Sequence, residues 1–189
     1  SKAYYAIANC NELLQKIEDC DDAFEYPWEK QMIMAEARGI RGLLHFEMLQ
    51  LFVPAPVTGY DGQALPYVTS YPDLKPAYKS MKEYIDLVIE DLKYAQEQLA
   101  PIDIDELRNK SNFVSGTMRL DNMDYVLFQG VGNIHSNGGK RDNAFGDGFF
   151  AFRGYRFNYW SATGLLARVY SYLRDFGNAE IYADTIIND

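Results

Sequence analysis

The sequence has 189 residues, 48% of them hydrophobic, so it can bury a core as one domain or as part of a larger one. Its formal net charge of −9 disfavours phosphate contacts, and we expect no nucleic-acid partner. The chain has no run of about eighteen apolar residues, the length that a membrane-spanning helix requires.

The first predicted element is a helix over residues 2–19, because apolar residues recur there at helical spacing. Cys10 and Cys20 are ten residues apart in one helical segment. They are about 15 Å apart at 1.5 Å per residue, so they cannot form a disulfide with each other. We expect both cysteines to be buried as small hydrophobic side chains.

A longer helix is predicted from Pro27 to Phe52, since proline suits a first helical turn and two prolines just after Phe52 prevent continuation. Its wide apolar arc predicts packing on two neighbours. Gly39 and Gly42 should allow another backbone to approach closely. The main stripe of the arc is Ile33, Ala37, Ile40, Leu44, Met48 and Leu51, widened by Leu43, Phe46 and Leu49.

Residues 53–78 are rich in proline and tyrosine and show no helical period, which predicts a long irregular excursion. The tyrosines argue against disorder. Phe, Trp and Tyr make up 15% of the chain, and some of these rings are expected to face a ligand or partner.

A third helix is predicted to begin after Ser80, which forms a capping box with Glu83, and to end at Pro101. Lys82 and Asp86 should lie on its solvated face. Its predicted buried face consists of Met81, Tyr84, Ile85, Val88, Leu92, Ala95 and Leu99.

Residues 102–155 form the second predicted excursion. Asp103, Asp105 and Glu106 lack the glycine and the distal glutamate of a calcium loop, and we expect them to be solvated surface. Residues 124–128 and 149–155 are compatible with a short β-hairpin. The glycine-rich run between them does not follow the phosphate-loop spacing.

The chain ends in a predicted helical hairpin over residues 159–188, with a turn that offers Asp175 as a cap and Gly177 as a permissive residue. Its spacing fits the tetratricopeptide pattern at Leu166, Tyr170 and Ala179. The fold class predicted is therefore all-α, built from tetratricopeptide-like hairpins with long irregular excursions. The apolar faces of the hairpin are Ala162, Leu165, Leu166, Val169, Tyr170 and Leu173, then Ala179, Tyr182, Ala183 and Ile186.

Catalytic groups are few. The only histidines are His45, interpreted as a helix-face residue beside Arg41, and His135. Glu36 and Glu47 share a helix face but lie roughly 16 Å apart, farther than the paired carboxylates of a glycosidase. We expect no enzyme, no cofactor and no metal site.

Four separated motifs, in order and at similar spacing, resemble the SusD/RagB family. They are EARGIRGLLHFEMLQLFVP at residues 36–54, LPYVT at residues 65–69, YIDLVIEDL at residues 84–92, and RFNY to ARVY with the following turn at residues 156–179. The resemblance implies a glycan-binding lipoprotein on the extracellular face of the outer membrane. It implies an N-terminal lipid anchor outside this chain, a SusC-like TonB-dependent transporter as partner, and no catalysis.

Members of that family are several hundred residues long, so the resemblance implies that residues 1–189 form a single domain that is a fragment of a larger protein. In the family the first long excursion contributes to the glycan face, which corresponds here to Tyr60, Asp61, Tyr67 and Tyr71. Two alternatives stay open. One is a helical-repeat adaptor that binds a peptide or protein, and the other is an all-helical glycan-cleaving enzyme.

Overall fold

The computed structural model describes residues 2–24, 26–106 and 156–188, and the predicted all-α architecture is confirmed for this part of the chain. Its helices are α1 (Lys2–Ile17), α2 (Pro27–Phe52), α3 (Met81–Ala100), α4 (Tyr159–Tyr172) and α5 (Phe176–Asn188). Short 3-10 turns occur at Asp21–Ala23 and Pro56–Thr58, and a π-helical turn, Pro101–Glu106, follows α3.

Each helix packs on the next one along the chain, and α2 also touches α4. Consecutive helices that pack on one another in this way are typical of tetratricopeptide-like hairpins. The apolar core lies mainly between α2, α3 and α4 and includes Phe46, Leu92 and Leu166, all fully buried.

A two-stranded antiparallel sheet interrupts the first excursion. Strand β1 (Gln63–Pro66) pairs with β2 (Tyr78–Ser80), with Gln63 opposite Ser80 and Pro66 opposite Tyr78. Periodicity could not reveal strands of four and three residues in a proline-rich segment. The β-hairpin considered for residues 124–128 and 149–155 lies outside the described residues.

The buried face of α2 differs from the predicted stripe. Ala37 and Met48 are buried as expected, but Ile40 is exposed and Leu51 is 71% exposed. Arg41 and His45 are buried in their place. The helix is rotated in this way because polar partners for both side chains lie on the neighbouring elements.

The glycines of α2 allow the close approach that their spacing predicted. A Cβ placed on Gly39 would lie 2.1 Å from Cε1 of Phe157, and one on Gly42 would lie 3.2 Å from Cβ of Asp91. A ring just before α4 and a side chain of α3 therefore rest directly on the α2 backbone.

The start of α3 forms the predicted capping box. The Ser80 hydroxyl accepts a hydrogen bond from the Glu83 backbone N–H at 3.2 Å, and the Ser80 N–H donates to the Glu83 carboxylate at 2.9 Å. All seven residues of the predicted buried face are buried, and Lys82 pairs with Asp86 on the solvated side.

Two expectations about which side chains are buried were wrong. Asp103 is fully buried, and its carboxylate accepts a hydrogen bond from the Tyr159 backbone N–H at 2.7 Å. It therefore stabilises the N-terminus of α4, where backbone N–H groups lack helical partners.

Cys20 is exposed and Cys10 is half-buried. Cys20 lies beyond the end of α1, and its thiol contacts the Lys16 carbonyl.

The turn between α4 and α5 uses a different residue from the one predicted. Arg174, with φ of 61°, adopts the left-handed conformation, while Gly177 lies in the first turn of α5. Asp175 acts as the predicted cap and accepts from the Asn178 backbone N–H at 3.2 Å. The rings of Tyr170 and Tyr182 stack across the hairpin, with their centroids 5.5 Å apart.

Over the described ranges, no helix is long and apolar enough to cross a membrane.

Candidate functional site

A buried ionic cluster lies where α1, α2 and α3 meet, and its centre is Asp91. Both carboxylate oxygens are occupied: Arg41 donates from Nε at 2.7 Å and from Nη2 at 2.8 Å, and Arg38 donates from Nε at 2.7 Å. Burial alone would raise the pKa of Asp91, but hydrogen bonds and charge from Arg41 bring the pKa below its usual value. Asp91 is thus held ionised inside the protein.

The cluster extends from α3 to the first excursion. The Tyr67 hydroxyl donates to Asp91 at 2.7 Å, and Arg41 also donates to the Asn11 side-chain oxygen at 2.8 Å. The Asn11 amide nitrogen in turn donates to the Val68 carbonyl at 2.9 Å. One carboxylate therefore connects two helices to the chain that follows β1.

His45 forms a second attachment point beside this cluster. It is fully buried, and its ring stacks on Tyr67 with centroids 3.9 Å apart. Nδ1 lies 2.9 Å from the Tyr84 hydroxyl oxygen, and Nε2 lies 3.3 Å from the Val68 backbone nitrogen and 3.4 Å from the Val68 carbonyl oxygen. Burial lowers the pKa of His45 to about 4, so the ring is neutral near pH 7.

Together these contacts hold residues 66–71, which we term the tethered segment, along α1. The Tyr4 hydroxyl donates to the Pro66 carbonyl near the start of the helix, and Gln15 accepts from the Tyr71 N–H near its end. Positions 4 and 15 are about 16 Å apart on a helix. The tethered segment therefore follows α1 from near its start to near its end.

The structure separates the four residues predicted to contact glycan. Tyr67 is buried, and its ring and hydroxyl are occupied by His45 and Asp91. Tyr60 is half-buried and its hydroxyl donates to the Gln63 carbonyl at 2.7 Å, while Asp61 is exposed. Tyr71 is 46% exposed and lies beside Gln15. Tyr60, Asp61 and Tyr71 are therefore at least partly accessible to solvent. Tyr67 is buried and attaches the segment to the helices through His45 and Asp91.

Further exposed polar and aromatic groups lie on the two-stranded sheet. Tyr78 is 59% exposed, and Gln63 is exposed at the other end of the sheet, next to Tyr60 and Asp61. The predicted site did not include them. Tyr78 is an aromatic residue of the same excursion as the predicted tyrosines, so the sequence did not distinguish it from them. The pairing of β1 with β2 shows that Tyr78 lies opposite Pro66 and thus beside the tethered segment.

A shallow groove of about 500 Å³ lies elsewhere, between the C-terminal half of α1 and the start of α2. It is mainly apolar and is lined by Leu13, Ile17, Phe24 and Ile33 among others. None of the predicted glycan residues lines it. The aromatic surface of the excursion and this groove are therefore separate features.

The helical hairpins and the excursion between α2 and α3 define a tetratricopeptide-like class of fold. Within that class, the chain is similar to a SusD superfamily protein from Bacteroides thetaiotaomicron, with a TM-score of 0.64 and 22% identity over 99% of this chain. A putative sugar-binding protein from Bacteroides vulgatus matches 98% of the chain with a TM-score of 0.59 and 22% identity. A SusD-like carbohydrate-binding protein from the same species also matches 98%, with a TM-score of 0.63 and 19% identity.

These similarities show that the chain has the fold of SusD-like proteins over the part it spans, which confirms the predicted resemblance at the level of fold. The chain covers 31%, 31% and 30% of those three proteins. Neither protein-family profiles nor curated protein sequences give a match.

Proposed function

We propose that the chain is part of a glycan-binding surface lipoprotein that delivers oligosaccharide to a SusC-like TonB-dependent transporter of the outer membrane. The similarity in fold over nearly the whole chain to SusD-like proteins supports this proposal most directly. Two of those proteins are described as binding sugar or carbohydrate. The protein would act by binding and not by catalysis.

The proposed contact residues are Tyr60, Asp61 and Tyr71. Aromatic rings provide flat apolar surface for sugar rings, and a free carboxylate accepts hydrogen bonds from sugar hydroxyls. The described structure gives the Asp61 carboxylate no hydrogen-bond partner, so its acceptors are available. Tyr67 has a supporting role, because its hydroxyl and ring are held within the protein.

Alanine substitution tests the contact residues. We expect Tyr60→Ala and Tyr71→Ala each to weaken binding to the preferred member of a polysaccharide panel by about 3- to 10-fold, the equivalent of about 0.5–1.5 kcal/mol for an aromatic contact. Isothermal titration calorimetry on the full-length protein measures this change. Phe176→Ala removes an exposed ring on α5, outside the excursion, and should leave affinity unchanged. Unchanged binding in both tyrosine variants would remove the excursion from the site.

The transporter partnership is tested separately. Affinity purification of the full-length protein from outer membranes should co-purify a TonB-dependent transporter. A soluble peptide partner without any outer-membrane complex, combined with no binding across the polysaccharide panel, would instead favour the helical-repeat adaptor.

A further inference from the structure

We propose that Asn11 and Gln15 of α1 are positioning residues, which hold Tyr71 in place for contact with glycan without touching the glycan themselves. The inference rests on the proposed function and extends its site from the excursion to α1. Both residues are ordinary polar members of a helix in the sequence, and only their contacts give them this role.

One face of α1 binds the backbone that leads to Tyr71. Asn11 donates from its amide nitrogen to the Val68 carbonyl at 2.9 Å and to the Ser70 carbonyl at 3.4 Å. Gln15 accepts from the Tyr71 N–H at 2.7 Å. Residues four apart lie on the same face of a helix, so both side chains reach the tethered segment from one side. The Tyr71 amide and the carbonyls just before it are therefore held at successive turns of α1.

Asn11 is itself fixed by the buried ionic cluster. It is fully buried, and its side-chain oxygen accepts from Nη1 of Arg41 at 2.8 Å. Because the oxygen faces Arg41, the amide nitrogen is the atom that faces the segment. Both oxygens of Asp91 hold Arg41 in turn. Asn11 thus connects the packing of α2 and α3 to the backbone of the segment.

The contact at Gln15 restrains the main chain of Tyr71 and leaves the ring accessible. Gln15 is exposed, and Tyr71 is 46% exposed. A residue of an irregular segment that is not restrained loses conformational freedom when a ligand binds, and this ordering lowers affinity. A ring that is already held in place avoids most of that cost. Gln15 and Asn11 should therefore strengthen glycan binding through Tyr71.

Amide hydrogen exchange of the full-length protein tests the hold on Tyr71 without any glycan. Gln15→Ala removes the acceptor, and exchange at the Tyr71 N–H should become about 2- to 10-fold faster, the range expected for one hydrogen bond. Gln15→Glu keeps an acceptor on a side chain of the same length and should keep the protection. Equal exchange in Gln15→Ala and the native protein would overturn the proposal.

Calorimetry with the polysaccharide that binds most tightly in the panel tests the effect on affinity. Gln15→Ala should weaken binding by about 2- to 5-fold, and Gln15→Glu should bind like the native protein. In a Tyr71→Ala background, Gln15→Ala should have no further effect, because it acts through that ring. The same loss in both backgrounds would show that Gln15 does not act through Tyr71.

Asn11→Asp extends the double-mutant test to the second residue. It keeps an oxygen for Arg41 but replaces the donor to the Val68 and Ser70 carbonyls with another acceptor. We expect weaker glycan binding in the native background and no further loss in the Tyr71→Ala background. An equal loss in both backgrounds would contradict the positioning role of Asn11.

The same measurements separate this inference from the proposed function. If Tyr71→Ala leaves affinity unchanged, the proposed glycan contact is wrong and the positioning role falls with it. If Tyr71→Ala weakens binding but Gln15→Ala does not, the contact stands and the positioning role of Gln15 is refuted.

Discussion

At the scale of single residues, the main finding is that a buried cluster of charged and polar side chains joins α1, α2 and α3 in addition to the apolar core. Arg41 and Asp91 are 50 positions apart in the chain, and each lies on a helix that also carries solvated charges. Sequence spacing cannot distinguish a charge that faces water from one that meets a partner on another helix. The sequence therefore predicts a simple helix-face position for His45, although the structure buries its side chain fully.

Asp91→Asn should be strongly destabilising. It preserves the size of the side chain but leaves the buried Arg41 without a counter-charge, and breaking such a pair costs about 3–5 kcal/mol. Urea denaturation measures the change in unfolding free energy. The matched control is Glu90→Gln, the adjacent carboxylate, which is exposed and pairs with Arg38. It should change stability by less than about 0.5 kcal/mol. Equal effects of the two variants would contradict a central role for Asp91.

At the scale of elements, the sequence predicted those features that depend on local rules. The bounds of α2, the capping box of α3 and the buried face of α3 follow from proline, Ser80 with Glu83, and apolar spacing. The rotation of α2 and the burial of Asp103 depend on residues distant in the chain, so local rules could not predict them. Gly39 was predicted in part: its spacing from Gly42 indicates a close approach of another backbone, but only the structure identifies the Phe157 ring as the neighbour.

Gly39→Ala tests that contact. The added methyl would overlap the Phe157 ring, which is buried and cannot move freely, and such overpacking costs about 1–3 kcal/mol. Gly177→Ala makes the same change in α5, where the nearest atom is 3.8 Å away. This control should be neutral or stabilising by up to about 1 kcal/mol, because alanine favours a helix. Thermal denaturation distinguishes them, and equal midpoints would be evidence against the Gly39–Phe157 contact.

At the scale of the whole molecule, the architecture was predictable and the arrangement of the site was not. The order of helices and the family-like motifs led to the correct fold. The four proposed glycan residues looked equivalent in sequence, yet Tyr67 is buried while Tyr71 is on the surface. Whether a tyrosine of an irregular segment points inward depends on the partners that the helices offer, here Asp91 and His45.

The stability of the whole protein should fall between pH 6.5 and pH 4. The pKa of His45 is about 4 when folded and 6.5 when unfolded, so the unfolded state binds the proton more tightly over this range. The loss reaches up to about 3 kcal/mol at pH 4. Chemical denaturation of the native protein and of His45→Gln at several pH values isolates this contribution. Identical pH profiles would exclude His45 as the cause.

The hydrogen bond between Asp103 and the backbone of Tyr159 has a consequence for how α4 is attached to the frame. These residues are 56 positions apart, yet they meet at 2.7 Å. The end of α3 and the start of α4 are thus held together at one point of the frame. The start of α4 is therefore anchored directly to the turn after α3, by a contact between two residues that are far apart in the sequence.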